Sequence, residues 1–518
     1  MTMNPKNPVG RRSFLAAVAT AGAAATAGAD VFDVRRFGVR GGRDVLATAR
    51  LQAALDACSK AGGGTVYVPP GEYLSGGLSL PSRVSLYLEA GSTIYASTKP
   101  EDYQPGGPHL ITARGSEYVS ILGPGVLHGQ GTEDLGRRPG HAYEPRPKFR
   151  TGVLMFDQCR HVILRDFTIL FSDAWTIHLR TCEKVVVDGV TILNNYFRTN
   201  SDGIDPDSCR DVRISNCTIV AGDDAICLKT HGGIPCEDVV VTNCTTESIA
   251  TAIKLGTGSD GDFRNITISN CTVRNSTLGV GFYIKDGGAI DSVVVSNLAI
   301  ETLRDPSLVN AERLRNMSYP LFIDVEKRRE NSRIGAVRNV IFSNIEIRSN
   351  NGILMQGMRR SLLENLVLHN ISLQVTQAFD YSHRAKAAGG NSNPHDSRIT
   401  FYARKPSYCT LANLRNLLVD NLQVESAPDI FEAYPRSALS VFNAEGAVLK
   451  SIERRPGGDY GPVVDLHNVR PALVTGCLAG RGTGTFLQTN GMAEDDVALE
   501  ASNLRLAKKA IERRDESE

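Results

Sequence analysis

Residues 211–219 read DVRISNCTI, and the pattern returns as DVVVTNCTT at 238–246 and NITISNCTV at 265–273. Apolar residues alternate with polar ones, an Asn that tolerates left-handed backbone follows, and a small Cys and a further apolar position close the unit. Working outward, looser copies stand at 161–169 (HVILRDFTI), 184–192 (KVVVDGVTI), 292–300 (SVVVSNLAI), 339–347 (NVIFSNIEI), 365–373 (NLVLHNISL) and 416–424 (NLLVDNLQV). Successive starts are 23, 27, 27, 27, 27, 47, 26 and 51 residues apart. Short β-rich units at this period, with no helical pattern between them, predict an all-β solenoid: a right-handed parallel β-helix whose equivalent positions stack ~4.8 Å apart. The two long gaps fit one coil plus an inserted loop, near 304–334 and 375–412.

Two columns follow from the stacking. Asn216, Asn243, Asn270, Asn297, Asn344, Asn370 and Asn421 share one turn position, and Cys217, Cys244 and Cys271 fill the next as small core residues rather than disulfide partners. At the N-terminal side, TARLQAALDACSKAGGG (48–64) predicts an amphipathic helix with Thr48 as N-cap, a buried face of Leu51, Ala54, Leu55 and Cys58, and a glycine stop. Such a helix is expected to cap the open end of the solenoid. Beyond 430 the chain stays strand-like but the period fades, and the charged tail 507–518 reads as a frayed end or a last helix. The expected divisions are a leader at 1–29, the cap and first coils at 30–110, the central coils at 111–430, and closing coils with a tail at 431–518.

The 518 residues carry a formal net charge of +1, which argues against a nucleic-acid partner. No apolar run is long enough to span a membrane. The stretch GRRSFLAAVATAGAAATAGAD pairs Arg11 and Arg12 ahead of an Ala-rich segment ending in Ala27-Gly28-Ala29, and reads as a twin-arginine signal. The expected partner is therefore the Tat export machinery, and the expected location the periplasm or the medium.

Against this regular background, residues 200–229 (NSDGIDPDSCRDVRISNCTIVAGDDAICLK) hold six aspartates, a residue type that strands avoid. Aligning the coils on Ile177, Ile204, Ile226, Ile253 and Ile284 puts Trp175, Asp202, Asp224, Thr251 and Phe282 two residues earlier. His178, Asp205, Cys227, Lys254 and Lys285 then stand one residue later. Asp202 and Asp224 fall in adjacent coils, with Asp223 diagonal to Asp202. Alternation would aim these acids into the core, so each strand must begin after its aspartate, or a bulge must re-aim it. Crowded carboxylates repel, which keeps one of them protonated near neutral pH, and an acid beside a base suits glycoside hydrolysis. Calcium binding and a plain row of solvated turn residues are the competing readings of the same residues.

The chain resembles the polygalacturonase-type hydrolases, glycoside hydrolase family 28, over roughly 33–430. The resemblance is carried by FGVRGGRD, TVYVPPGEYLSGGLSL and LEAGSTIYASTKPEDY near the start, by Asn200-Ser201-Asp202 for the family's Asn-Thr-Asp, and by Gly222-Asp223-Asp224 for its paired aspartates. It implies a polysaccharide or oligosaccharide substrate of pectic or related type, Asp223 as general acid, and Asp202 and Asp224 activating a water, with inversion. No cofactor and no metal is implied. The family's Gly-His-Gly is replaced by IATAIKLG, with Thr251 where the His would stand. Its Arg-Ile-Lys becomes YIK, with Tyr283 for the Arg while Lys285 remains. The lost Arg removes a bidentate carboxylate clamp. Trp175, His178, Asn200, Asp205, Lys254, Tyr283 and Lys285 are the expected substrate contacts, with Lys229 and His231 behind them. A calcium-dependent polysaccharide lyase on the same fold, and a catalytically inactive carbohydrate-binding β-helix, stay open as alternatives.

Overall fold

The computed structural model describes residues 30–103, 107–131, 149–303, 319–376, 407–426, 436–455 and 461–515. The proposed leader, 1–29, and most of the two predicted inserts lie outside them. One coil runs through the strands Glu183–Asp188, Thr191–Leu193 and Ile204–Asp207, and the next through Arg210–Ser215, Thr218–Ala221 and Ile226–Thr230. Each strand pairs in parallel with its equivalent one coil on. Val185 meets Val212 and then Val239, and Ile177 meets Ile204, Ile226 and Ile253. The chain is thus a parallel β-helix, with those isoleucines and valines at most 1% exposed in a continuous core. Each buried aliphatic side chain contributes roughly 1.5–3 kcal/mol relative to exposure, and the repeat multiplies it.

The turns are held by the predicted columns. Asn216, Asn243, Asn270, Asn297, Asn344, Asn370 and Asn421 all have φ between 54° and 59°. Their amides bond up the stack, from Asn297 Nδ2 to Asn270 Oδ1 at 3.2 Å and from Asn344 Nδ2 to Asn297 Oδ1 at 3.0 Å. Cys217, Cys244 and Cys271 are buried beside them. A second cysteine column, Cys159, Cys182, Cys209 and Cys236, was not anticipated, because those residues precede the repeat unit rather than sit inside it. All eleven cysteines are buried and unbridged. Both long gaps close in register: Ala289 pairs with Ala336, and Leu363 with Leu414.

Near the start, the helix Thr48–Lys60 buries Leu51, Ala54, Leu55 and Cys58 against the first coils. Its N-cap is Ala47; Thr48 is the first helical residue, and its hydroxyl instead accepts the Gly76 N–H at 2.7 Å. At the other end the described part of the tail, 507–515, is neither frayed nor helical. Lys509–Arg514 is a strand paired with Thr485–Asn490, since Ile511 stacks on buried Leu487. Among the described residues no helix is long and apolar enough to cross a membrane.

Candidate active site

Asp202 and Asp224 stand just ahead of the strands Ile204–Asp207 and Ile226–Thr230, so the alternation that turns both isoleucines inward begins after each acid. Backbone bonds keep the turns stacked all the same. Thr176 N–H donates to the Asp202 carbonyl at 3.0 Å, and Gly203 N–H to the Asp224 carbonyl at 2.9 Å. The turn carrying Asp223 rests on the turn carrying Asp202 with no room to spare. A Cβ on Gly222 would lie 2.3 Å from the Asn195 carbonyl oxygen and 2.5 Å from Ser201 Oγ, which itself accepts the Gly222 N–H at 3.2 Å. Carboxylate oxygens of Asp202 and Asp224, together with Cys227 Sγ, consequently lie within 4.8 Å of one another. Asn200, at φ 56°, donates its N–H to Asp223 Oδ2 at 3.0 Å and its amide to the same oxygen at 3.4 Å.

Two lysines divide the acids between them. Lys254 Nζ donates to Asp224 Oδ2 at 2.7 Å, and Thr251 N–H donates to Asp224 Oδ1 at 3.1 Å. Lys229 Nζ donates to Asp202 Oδ2 at 3.1 Å and to Asp205 Oδ1. Asp205, expected to meet substrate, is instead fully buried beneath Lys229. Asp202 Oδ1 and Asp205 Oδ2 remain buried with no hydrogen-bond partner.

These contacts set the charges. Burial pushes the Asp223 carboxyl up to about 7, and the carboxylates of Asp202 and Asp224 push it the same way. Burial also works against ionised Asp224, but Lys254 and Lys229 outweigh it and hold that carboxyl below its ordinary range. Asp202 is raised by burial against the pull of Lys229. Lys229 itself keeps its proton, because Asp205 and its neighbours overcome the burial that would strip it. A partly exposed acid that is protonated near neutrality therefore stands beside an ionised carboxylate. Such a pair can give one proton and take another.

Around this centre lies an aromatic and imidazole rim. Lys229 Nζ sits 4.5 Å from the Trp175 ring centroid, and His178 meets the same indole edge-on at 4.7 Å. The Lys229 contact thus occupies one face of the tryptophan expected to meet substrate. His178 Nε2 lies 3.5 Å from Asp207 Oδ2, and His231 Nδ1 2.8 Å from the same oxygen. Lys229 and Asp207 thus matter more than their sequence positions suggested. Their partners, Asp202 and Asp205 for Lys229 and His178 and His231 for Asp207, sit about one coil away, at separations a charge search could have picked out.

The alignment on Ile284 is corrected by the structure. Ile253 pairs with Val280, so Lys254 faces Gly281, and Thr251 faces Leu278 rather than Phe282. The strand Thr251–Ser259 also carries a register shift, with Leu228 opposite Leu255 but Thr230 opposite Ser259. Tyr283 lies two residues beyond the register of Lys254, with Lys254 Nζ 5.0 Å and Lys285 Nζ 5.8 Å from its ring centroid. Lys285 is buried, bonded to Glu326 and 3.4 Å from Asp324 Oδ2.

Asp202, Asp224 and Cys227 are the one group among the described residues close enough to share a metal ion. Their chemistry suits a hard cation poorly: the third corner is a thiol, and both carboxylates already hold an ammonium group.

A family model described as glycosyl hydrolases family 28 matches residues 58–380. A probable polygalacturonase of Vitis vinifera is 30% identical over 211 residues, covering 38% of this chain and 43% of that protein. An exopolygalacturonase of Platanus acerifolia is 28% identical over 199 residues, covering 38% of this chain and 52% of its own length. The chain thus spans about half the length of the curated relatives it matches. The crystal structure of an exopolygalacturonase from Thermotoga maritima superposes with a TM-score of 0.58 at 21% identity, over 67% of this chain and 87% of the other. At that identity the likeness bears on the fold.

Proposed function

Because this chain belongs to glycosyl hydrolases family 28, we propose that it hydrolyses glycosidic bonds of a pectic or related poly- or oligosaccharide, with inversion at the anomeric carbon. The observation that carries the reading is the split between neighbouring carboxyls, Asp223 raised to about 7 and Asp224 held down by Lys254. Protonated Asp223 gives its proton to the bridging oxygen as the bond from that oxygen to the anomeric carbon breaks. A water beside the Asp202–Asp224 pair attacks the same carbon from the opposite face and passes its proton to that pair. Asn200 acts in this scheme by aiming the Asp223 carboxyl, and Trp175 and His178, both partly exposed, form the side of the cleft nearest Asp202.

The test is release of new reducing ends from a panel of pectic and neutral glycans by the purified protein beside Asp223→Asn, with the first-formed anomer read by NMR. Release that Asp223→Asn abolishes, and that yields the inverted anomer, is the expected result. Unsaturated products dependent on calcium would identify a lyase instead. Binding without turnover by the unaltered protein would leave an inactive carbohydrate-binding β-helix.

The same proposal places the mature chain in the periplasm or medium, exported by the Tat machinery through Arg11 and Arg12, with the catalytic coils at 111–430. A twin-arginine route carries folded proteins, and a fold whose eleven cysteines are all unbridged does not depend on an oxidising compartment. Replacing both arginines with lysine should trap the precursor in the cytoplasm.

A further inference from the structure

A sugar acid bound across the triad would need a cation free to meet its carboxylate. Among the described residues Lys229 and Lys254 contact the triad, Lys285 shares the Tyr283 ring with Lys254, and each of the three is already engaged. Lys229 is held by Asp202 and Asp205, Lys254 by Asp224, and Lys285 by Glu326 with Asp324 at 3.4 Å. Two of the three, Lys229 and Lys285, are only 7% exposed. Five carboxyl groups thus face three ammonium groups, and four still do if Asp205 keeps a proton. The next cations outward are committed as well. Arg198 lies 3.0 Å from Asp173, and Arg328, beyond Lys285, lies 2.9 Å from Asp286.

The polar atoms left over on the carboxyls and amide beside Lys229 and Lys285 are acceptors. Asp202 Oδ1, Asp205 Oδ2, Asp324 Oδ2 and Gln356 Oε1 are buried without a hydrogen-bond partner, while the nearby donors without one belong to Asn195 (Nδ2) and Arg328 (Nε and Nη2). Gln356 has spent its donor on Asp324 Oδ1, at 2.7 Å. The carboxyls beside Lys229 and Lys285 therefore call for donors, which water and sugar hydroxyls supply and a carboxylate does not.

We propose that the sugar bound across the triad is uncharged, a neutral hexose or deoxyhexose, and that the Asp324–Glu326 pair makes it so by occupying Lys285. The inference rests on the hydrolase reading above. A uronate entering here would set its carboxylate among like charges with every cation already paired, whereas a primary alcohol or methyl at the same carbon meets no such opposition.

The test uses matched ligands: oligogalacturonides, and the same oligomers with every carboxyl reduced to a primary alcohol, beside a set of neutral oligosaccharides. Binding is measured calorimetrically on Asp223→Asn, and turnover on the unaltered protein. At least tenfold tighter binding of reduced or neutral ligands than of the acidic oligomers is expected. The Asp324→Asn/Glu326→Gln double variant, which frees Lys285, should narrow that gap several-fold. Acidic oligomers bound as tightly as their reduced forms would overturn the proposal, as would a gap indifferent to the double variant in a protein whose melting shows it folded. Silence toward every ligand, in both binding and turnover, would remove the hydrolase reading and this inference with it. That outcome is told apart from a lost charge preference by the absence of any neutral ligand.

Discussion

Lys254 Nζ bonds Asp224 Oδ2 at 2.7 Å, while Asp223, the next residue back, takes its hydrogen bonds from the neutral Asn200. One cation therefore separates two adjacent carboxyls, the first protonated near neutrality and the second ionised. If Asp223 is the acid, kcat/KM should fall as pH rises through about 7, where that proton is lost. Lys254→Gln should act on the other limb: without its ammonium, Asp224 protonates more readily, and activity should fail at a higher pH on the acid side. A pH–rate profile of both proteins checks this, and an acid limb unmoved by Lys254→Gln would remove Asp224 from the base.

The same raised carboxyl makes a statement about stability. Asp223 sits at about 7 in the folded chain against an ordinary 3.8, so between those values the folded state binds more protons than the unfolded one. Stability contributed at this site is thus present below about 4 and is lost as pH rises toward 7. A tenfold change in proton affinity is worth about 1.4 kcal/mol, so the loss is on the order of a few kcal/mol. Asp223→Asn removes the charge but keeps the shape. It should melt several degrees above the parent at pH 8 and close to it at pH 4. Equal melting at pH 8 would mean that Asp223 is not held protonated.

Lys229 carries a different consequence, because its two partners are buried with it. Lys229→Met leaves the carboxyls of Asp202 and Asp205 without their cation, and breaking a buried pair from one side costs about 3–5 kcal/mol. Asp205→Asn added to it should recover part of that loss, since it removes one of the stranded charges. Denaturant midpoints of the single and double variants measure both. A double variant no more stable than the single would mean that Asp205 is not stranded by the loss of Lys229.

Much of this was legible in the repeat. The Asn and Cys columns, the parallel stacking and the neighbouring placement of Asp202 and Asp224 follow from a 27-residue period, which fixes what lies above what. The alignment failed at the fifth coil for a physical reason. The stretch Gly279-Val280-Gly281-Phe282-Tyr283-Ile284 offers three inward-facing apolar residues at alternate positions, and a slip of two or four residues preserves the alternation. The two extra residues in Thr251–Ser259 leave no mark on the apolar pattern either. Charge pairing was harder still to read. Glu326, which holds Lys285, is 41 residues away across an insert, and no period links the two.

Gly222 is where geometry and chemistry can be separated most cleanly. Its φ is not in the left-handed region, so alanine is conformationally acceptable, and only space opposes it. The added Cβ would meet the carbonyl oxygens of Asn195 and Arg198 at 2.3 and 2.7 Å and Ser201 Oγ at 2.5 Å. Two of these contacts are rigid backbone, so the turn bearing Asp223 must lift from the turn bearing Asp202 by about 1 Å to reach ordinary contact. A displacement of that size between reacting groups costs on the order of 100-fold in rate. Gly222→Ala should therefore lose about that factor in kcat while every carboxyl of the triad is still present, and its KM should move far less. The decisive comparison is with Gly232→Ala, where nothing lies within 4 Å of the added atom though φ is +68°. That change should lower the melting temperature slightly and leave kcat alone. Equal kcat in the Gly222→Ala variant and its parent would show that the close approach of the two turns does not set the distance on which the chemistry depends.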